Sequence, residues 1–222
     1  VPRRLAGVAH QFMDRVDCRL RHIPYINEIV SIINTTLANG KLSDGTRFVK
    51  QLNGLAETLP RNYNQSQDGI PTLVDTNGGT MFSGFNDAYS ITIYHRCLST
   101  NIIEPAVQFG DGNNAAREEA SMRMIVWADR VRTKLQPQQL SFLLTSAVQQ
   151  QLAYSQISTY PGLYGVTIEA DRTNYDGVAI WQQEYKLPAA AYPVHPSHIY
   201  MALDYTIVTD YDVTCISDCP TC

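Results

Sequence analysis

With 222 residues, 44% of them hydrophobic and 17% charged, the chain holds enough apolar material for a sizeable core and too little charge for disorder. Its net charge of −4 is unevenly spread: residues 1–61 carry nine Lys/Arg against five Asp/Glu, and residues 62–222 carry eight against sixteen. A mainly acidic body argues against nucleic-acid binding across the whole surface.

The first 61 residues read as helical. Leu5, Val8, Ala9, Phe12 and Val16 follow the i, i+3, i+4 spacing of one helix face. Arg3, Arg4, Arg15, Arg19 and Arg21 accompany them, either as a solvated face or as a contact for phosphate or an acidic partner. Arg3-Arg4 is followed by no apolar h-region, so no secretory signal is expected there. Pro24 opens a second pattern of Ile26, Ile29, Val30, Ile33 and Leu37, and Asn39-Gly40 closes it. Phe48, Val49, Leu52, Leu55 and Leu59 suggest a third helix, weakened by Gly54 and stopped by Pro60. Two glycosylation sequons, at Asn34 and Asn64, carry little information without a signal peptide.

From residue 62 the character changes. "RNYNQSQDG" and "DTNGGT" are loop chemistry around a short apolar piece. In "YSITIYHRC" the period becomes two, with Ile91 and Ile93 on one face and Thr92 and Tyr94 on the other. "SMRMIVWA" sets Met122, Met124 and Val126 against Arg123, Ile125 and Trp127. The stretch between, "LSTNIIEPAVQFGDGNNAAREEA", reads as a long loop with a possible helical turn at its end, and loops of that length are usually functional or ordered by a partner.

Pro137 then starts the clearest helix, with an apolar stripe of Leu140, Leu143, Leu144, Ala147, Val148 and Leu152. Gln138, Gln139, Gln149 and Gln150 make its other face polar but uncharged. "YGVTIEAD" alternates as a strand, "NYDG" suggests a turn, and "VAIWQQEYKL" a returning strand. "HIYMALDYTIVTD" is the longest expected strand, with Ile199, Met201, Leu203, Tyr205 and Ile207 on one face. The expected class is α+β: a largely antiparallel sheet with helices packed on one side, one of them long, and a helical N-terminal segment. The boundaries are a helical segment 1–61, a body 62–214 and a cysteine-containing tail 215–222. No run approaches the ~18 apolar residues of a membrane span.

Signatures of catalysis are sparse. The chain lacks G-x-x-x-x-G-K, a G-x-G-x-x-G after a strand, G-x-S-x-G and H-E-x-x-H. "FGDGNN" places Asp111 and Asn113 at EF-hand spacing but lacks the central glycine and closing glutamate. His95 and Cys97 share a strand face, yet same-face neighbours stand ~7 Å apart and no orienting group is evident. Glu118, Glu119, Asp204, Asp210 and Asp212 are the carboxylates to weigh; Asp210 and Asp212 share a side of the last strand and suit a hard cation, an acid/base pair or a wet strand end. The tail "CISDCPTC" offers Cys215, Cys219 and Cys222, one ligand short of a tetrahedral zinc site unless Cys18, Cys97, His195, His198 or a neighbouring subunit completes it. A Cys219/Cys222 redox pair lacks the helix N-terminus that lowers a thiol pKa. No catalytic, cofactor-binding or metal site is assigned.

The segments "SITIYHRC", "SMRMIVWADRVR", "QLSFLLTSAV", "VAIWQQEYKL" and "HIYMALDYTIV" stand in an order that resembles tailed-bacteriophage neck and tail-completion proteins, the tail-terminator-like ring formers. The resemblance covers a little over half the chain and is a pattern of elements rather than a motif. It implies a non-enzymatic subunit of a cyclic homo-oligomer that meets other virion proteins, assembles in the host cytoplasm, passes DNA without gripping it and needs no cofactor or membrane. The alternatives are a metal- or cysteine-dependent enzyme and a surface or secreted binding module.

Overall fold

The computed structural model describes residues 26–39, 50–58, 71–74, 80–82, 89–108, 114–152, 163–186, 189 and 196–212. Helix α1 spans Ile26–Asn39 and buries Ile26, Ile29, Val30, Ile33 and Leu37, the five positions its spacing marks. Each such side chain contributes about 1.5–3 kcal/mol when fully buried. Strands β1 (Lys50–Thr58), β2 (Pro71–Val74), β3 (Thr80–Phe82), β4 (Ile91–Gln108) and β5 (Asn114–Asp129) follow. After them come the short helix α2 (Arg130–Thr133), α3 (Pro137–Val148), β6 (Gln150–Leu152), β7 (Leu163–Asn174), α4 (Gly177–Tyr185) and β8 (His198–Asp212).

The eight strands make one sheet in the order β3-β2-β1-β4-β5-β8-β7-β6. All its pairs are antiparallel except β1 with β4. The α+β class is therefore as expected. α1 and α3 cover one face, where their apolar stripes meet Ile91, Ile93, Met122, Met124, Val126 and the odd-numbered residues of β8 from Ile199 to Ile207. The period-two reading of β4, β5 and β8 predicts these inward positions. The opposite face buries Tyr94, Ile125, Trp127, Tyr200 and Ala202 beneath Ile180, Trp181 and Tyr185 of α4. Helices thus lie on both faces, not one.

Three expectations fail, each for a physical reason. Residues 50–58 form β1, not a helix: Lys50–Leu52 pair with Ile91–Ile93 and, past a bulge, Leu55 pairs with His95. Asn53, Gly54 and Thr58 are weak helix formers, and ladder bonds along β4 outweigh the 3.6-residue apolar spacing. "VAIWQQEYKL" is α4, not a returning strand. Asp176 of the supposed turn is its N-cap, with the carboxylate accepting from the Ala179 amide at 3.0 Å. The buried set Ile180, Trp181, Glu184 and Tyr185 has helical spacing. The helix ends at Lys186, in the left-handed region at φ 55°.

The supposed long loop is the third failure. Residues 98–108 continue β4 and 114–120 begin β5, so the two strands form a hairpin arm of 18 and 16 residues. Bulges at 97/99, 102/104 and 104/107 carry the irregular residues without ending the ladder. The long helix is as expected, although Gln150 and Leu152 fall in β6 rather than in it. The Gln136 amide donates to Gln139 Oε1 at 2.9 Å, closing its first turn.

Candidate functional site

His95 sits on β4 under α1, with no surface exposed. Its Nε2 lies 3.0 Å from Asn34 Oδ1 and its Nδ1 2.9 Å from the Tyr205 hydroxyl. The Asn34 Nδ2 donates to the Asn53 carbonyl at 2.9 Å, which fixes the amide with its oxygen toward the ring. An amide oxygen only accepts, so His95 carries its proton on Nε2, and Nδ1 accepts from Tyr205. Burial lowers the ring pKa to about 3. Cys97, two residues on, is half-buried, and its thiol points to the Ser99 carbonyl at 3.7 Å. Burial, with the nearby Glu118 charge, raises the thiol pKa. A nucleophilic dyad needs a thiolate and an imidazole that takes its proton. Here the thiol is held protonated, and both ring nitrogens are engaged elsewhere.

The sheet face under α4 holds a group of charges that the sequence does not bring together. Arg123 of β5 grips Asp204 of β8 with both ends of its guanidinium, at 2.6 and 3.1 Å. Arg172 of β7 adds a third contact to Asp204 at 3.0 Å. Glu184 of α4 accepts from Arg96 at 2.5 Å and lies 3.5 Å from Arg123, which also reaches Gln183 at 2.8 Å. Burial opposes ionisation of Asp204, but the hydrogen bonds from Arg123 and Arg172 outweigh it and hold its pKa below the usual carboxylate value. Three guanidinium groups against two carboxylates leave the group one positive charge in excess, a structural arrangement that ties α4, β4, β5, β7 and β8 together. Alternation on β5 and β8 puts Arg123 and Asp204 on the α4 face; their pairing follows from the β5–β8 register, which sets them opposite each other.

Beside these charges stands an aromatic group. Trp127 stacks on Tyr200 at 4.0 Å and Trp181 on Tyr185 at 4.2 Å, and the two tryptophans meet edge to face at 6.2 Å. The Tyr94 hydroxyl donates to that of Tyr185 at 3.3 Å. Desolvation raises the Tyr185 pKa to about 12.

Asp210 faces Arg117, which binds it through two nitrogens at 2.7 and 3.2 Å. Asp212 ends β8 opposite Ala115. Glu118 and Tyr211 share a hydrogen bond; burial raises the pKa of Glu118, and burial with the Glu118 charge pushes Tyr211 up to about 12. Glu119 pairs with Val208 along the ladder. His198 meets the Ser197 hydroxyl at 3.1 Å. The sequon residue Asn34 has its side-chain amide engaged by His95 and Asn53. Among the described residues no three His, Cys, Asp or Glu side chains converge as a metal-holding group, and no helix is long and apolar enough to cross a membrane. Arg3, Arg4, Arg15, Cys18, Arg19, Arg21, Asn64, Asp111, Asn113, His195, Cys215, Cys219 and Cys222 lie outside the described residues.

Among the described residues, three of the eight exposed large hydrophobic side chains lie on the arm. Leu98, Ile102 and Ile103 are 45%, 64% and 46% exposed. β1 leaves β4 at His95, and among the described residues no strand pairs with 97–108 on the side away from β5. Phe142 of α3, at 72% exposure, stands among the uncharged glutamines of that helix. No family model matches the chain, and no curated protein matches it.

Proposed function

We propose that this chain is a structural subunit of a symmetric ring in a phage virion, at the neck or at tail completion. The observation that supports this reading best is the β4–β5 arm. It presents Leu98, Ile102 and Ile103 to solvent beside a strand edge that takes no partner within the described sheet. Exposed apolar side chains on an open edge favour pairing with another chain. The side chains with chemical potential are meanwhile held in internal pairs: His95 with Asn34 and Tyr205, Asp204 with Arg123, Asp210 with Arg117.

The phage assignment rests on the order of elements. Four of the five segments that resemble tail-terminator-like proteins are the strands β4, β5 and β8 and the helix α3; the fifth, "VAIWQQEYKL", is the helix α4. Native mass spectrometry of the purified protein, alone and with virion proteins, tests the proposal. A closed oligomer is expected, and Ile102→Ser with Ile103→Ser should shift it toward monomer while leaving the circular dichroism spectrum unchanged. A strict monomer that joins no assembly would overturn it.

A further inference from the structure

Helix α1 is held to the sheet by more than its apolar stripe. Asn34, in the middle of the helix, makes two polar contacts through one amide: its nitrogen donates to the Asn53 carbonyl of β1, and its oxygen accepts from His95 Nε2 of β4. The far side of the His95 ring accepts from Tyr205 of β8. One imidazole therefore links α1 across the sheet to β8, and its place in the chain of hydrogen bonds requires the neutral Nε2–H form.

We propose that His95 is an acid-sensitive latch for α1: a proton taken up on Nδ1 breaks the Tyr205 O–H···N bond and places an unpaired cation beneath the helix, which then leaves the sheet. Among the described residues, the groups around the ring offer that cation no counter-charge. α1 supplies Asn34, β1 the Asn53 carbonyl, β5 Met124 opposite His95, and β8 Tyr205. Tyr205 and Cys97 are the titratable neighbours, and burial raises the pKa of both, so each is neutral in acid. Glu118, the carboxylate whose charge raises the Cys97 pKa, sits on β5 six residues from Met124, the residue opposite His95. The helix is also the element placed to move. β4, β5 and β8 each pair with strands on both sides, whereas α1 rests on β1 and α3. A groove of about 400 Å³ between α1 and β1, lined by Ser31, Asn34, Thr35, Leu52 and Gly54, already reaches the Asn34 amide.

Well above pH 6.5 the ring is neutral whether α1 is docked or released, and pH has no effect through it. Below that, the released state takes up a proton that the docked state refuses down to about pH 3, so acid favours release. Between pH 7.5 and 5.0 the opening equilibrium of α1 should rise about 30-fold.

Hydrogen exchange of the full-length protein at these two pH values, corrected for intrinsic rates, measures it amide by amide. The α1 amides of the wild type should show the roughly 30-fold rise and open more readily than those of β5 and β8 at both pH values, and His95→Gln should flatten the α1 response. Equal α1 responses in the two proteins, or α1 amides that open only together with those of β5 and β8, would overturn the latch. Should His95→Gln fail to fold, the imidazole nitrogen resonances of the wild type decide. An Nδ1–H tautomer at pH 7.5, or a charged ring at pH 5.0 under a still-protected α1, overturns it equally; a neutral Nε2–H ring under a docked α1 at pH 5.0, charged only in the molecules that have opened, is the expected result.

Discussion

Replacing Glu184 by alanine should cost about 3–5 kcal/mol of folding stability, the usual penalty for removing one partner of a buried ion pair. Glu184 is 1% exposed and receives Arg96 at 2.5 Å and Arg123 at 3.5 Å. Arg123 would keep Asp204 and Gln183, so the loss falls chiefly on Arg96, whose side chain is 20% exposed. That partial exposure places the expected value toward the lower end of the range. Glu184→Gln keeps the shape and one acceptor but not the charge, and should cost about 1.5–3 kcal/mol. Against a total of roughly 5–15 kcal/mol, either change is readily measured. Urea unfolding followed by tryptophan fluorescence is the assay, because Trp127 of the sheet packs against Trp181 of α4 in the same layer. At a slope of about 2 kcal/mol per molar, the alanine variant should unfold about 1.5–2 M earlier. Arg96→Met with Glu184→Met should recover most of the loss, since a buried pair replaced by apolar groups of similar volume is often neutral. If both single variants stay within about 0.5 kcal/mol of wild type, the pair does not hold α4 to the sheet and the reasoning fails.

Other outcomes follow from the same geometry. Lys186 and Lys134 occupy the left-handed region at φ 55°, where a non-glycine residue costs roughly 1–2 kcal/mol; Lys186→Gly should raise stability by about 0.5–1 kcal/mol, read from the urea midpoint. Asp176→Ala removes the cap on Ala179 and should cost about 1 kcal/mol by the same measurement. The Asp204 carboxyl titrates lower when folded than when unfolded, so its contribution is fully present above the unfolded value near 3.8 and is lost as pH falls through the lower folded value. Acid titration of wild type and Asp204→Asn should therefore show the two stability curves converging below pH 3.8, and parallel curves there would contradict the pairing with Arg123 and Arg172.

Much of the framework was legible in the residues. α1 and α3 carry long apolar stripes with punctuation at their ends, and β8 alternates over enough residues to fix which side chains face in. Alternation in β5 even assigned Met122, Met124 and Val126 to one layer and Ile125 and Trp127 to the other. Short or mixed patterns misled. "VAIWQQEYKL" has apolar residues that suit a strand, and its helical spacing becomes decisive only with Asp176 recognised as a cap rather than as part of a hairpin turn. The arm "STNIIEPAVQ" lacks alternation because bulges shift its register, so a strand there looks like a loop.

The sites were less legible than the fold. His95 drew attention for its proximity to Cys97 along the strand, but its partners are Asn34 and Tyr205, 61 and 110 residues away in sequence. Arg123 and Asp204 were visible as residues and invisible as a pair. What the sequence by itself determined was the local period of apolar side chains, because helix and strand geometry repeat over a few residues and the hydrophobic effect selects the face. Only the tertiary structure decided which distant strands lie side by side, and with them which charges are buried together, which histidine is neutral and which stretch of β4 takes no second partner among the described strands. Those outcomes depend on strand register, and register is set by the packing of the whole sheet rather than by any one segment.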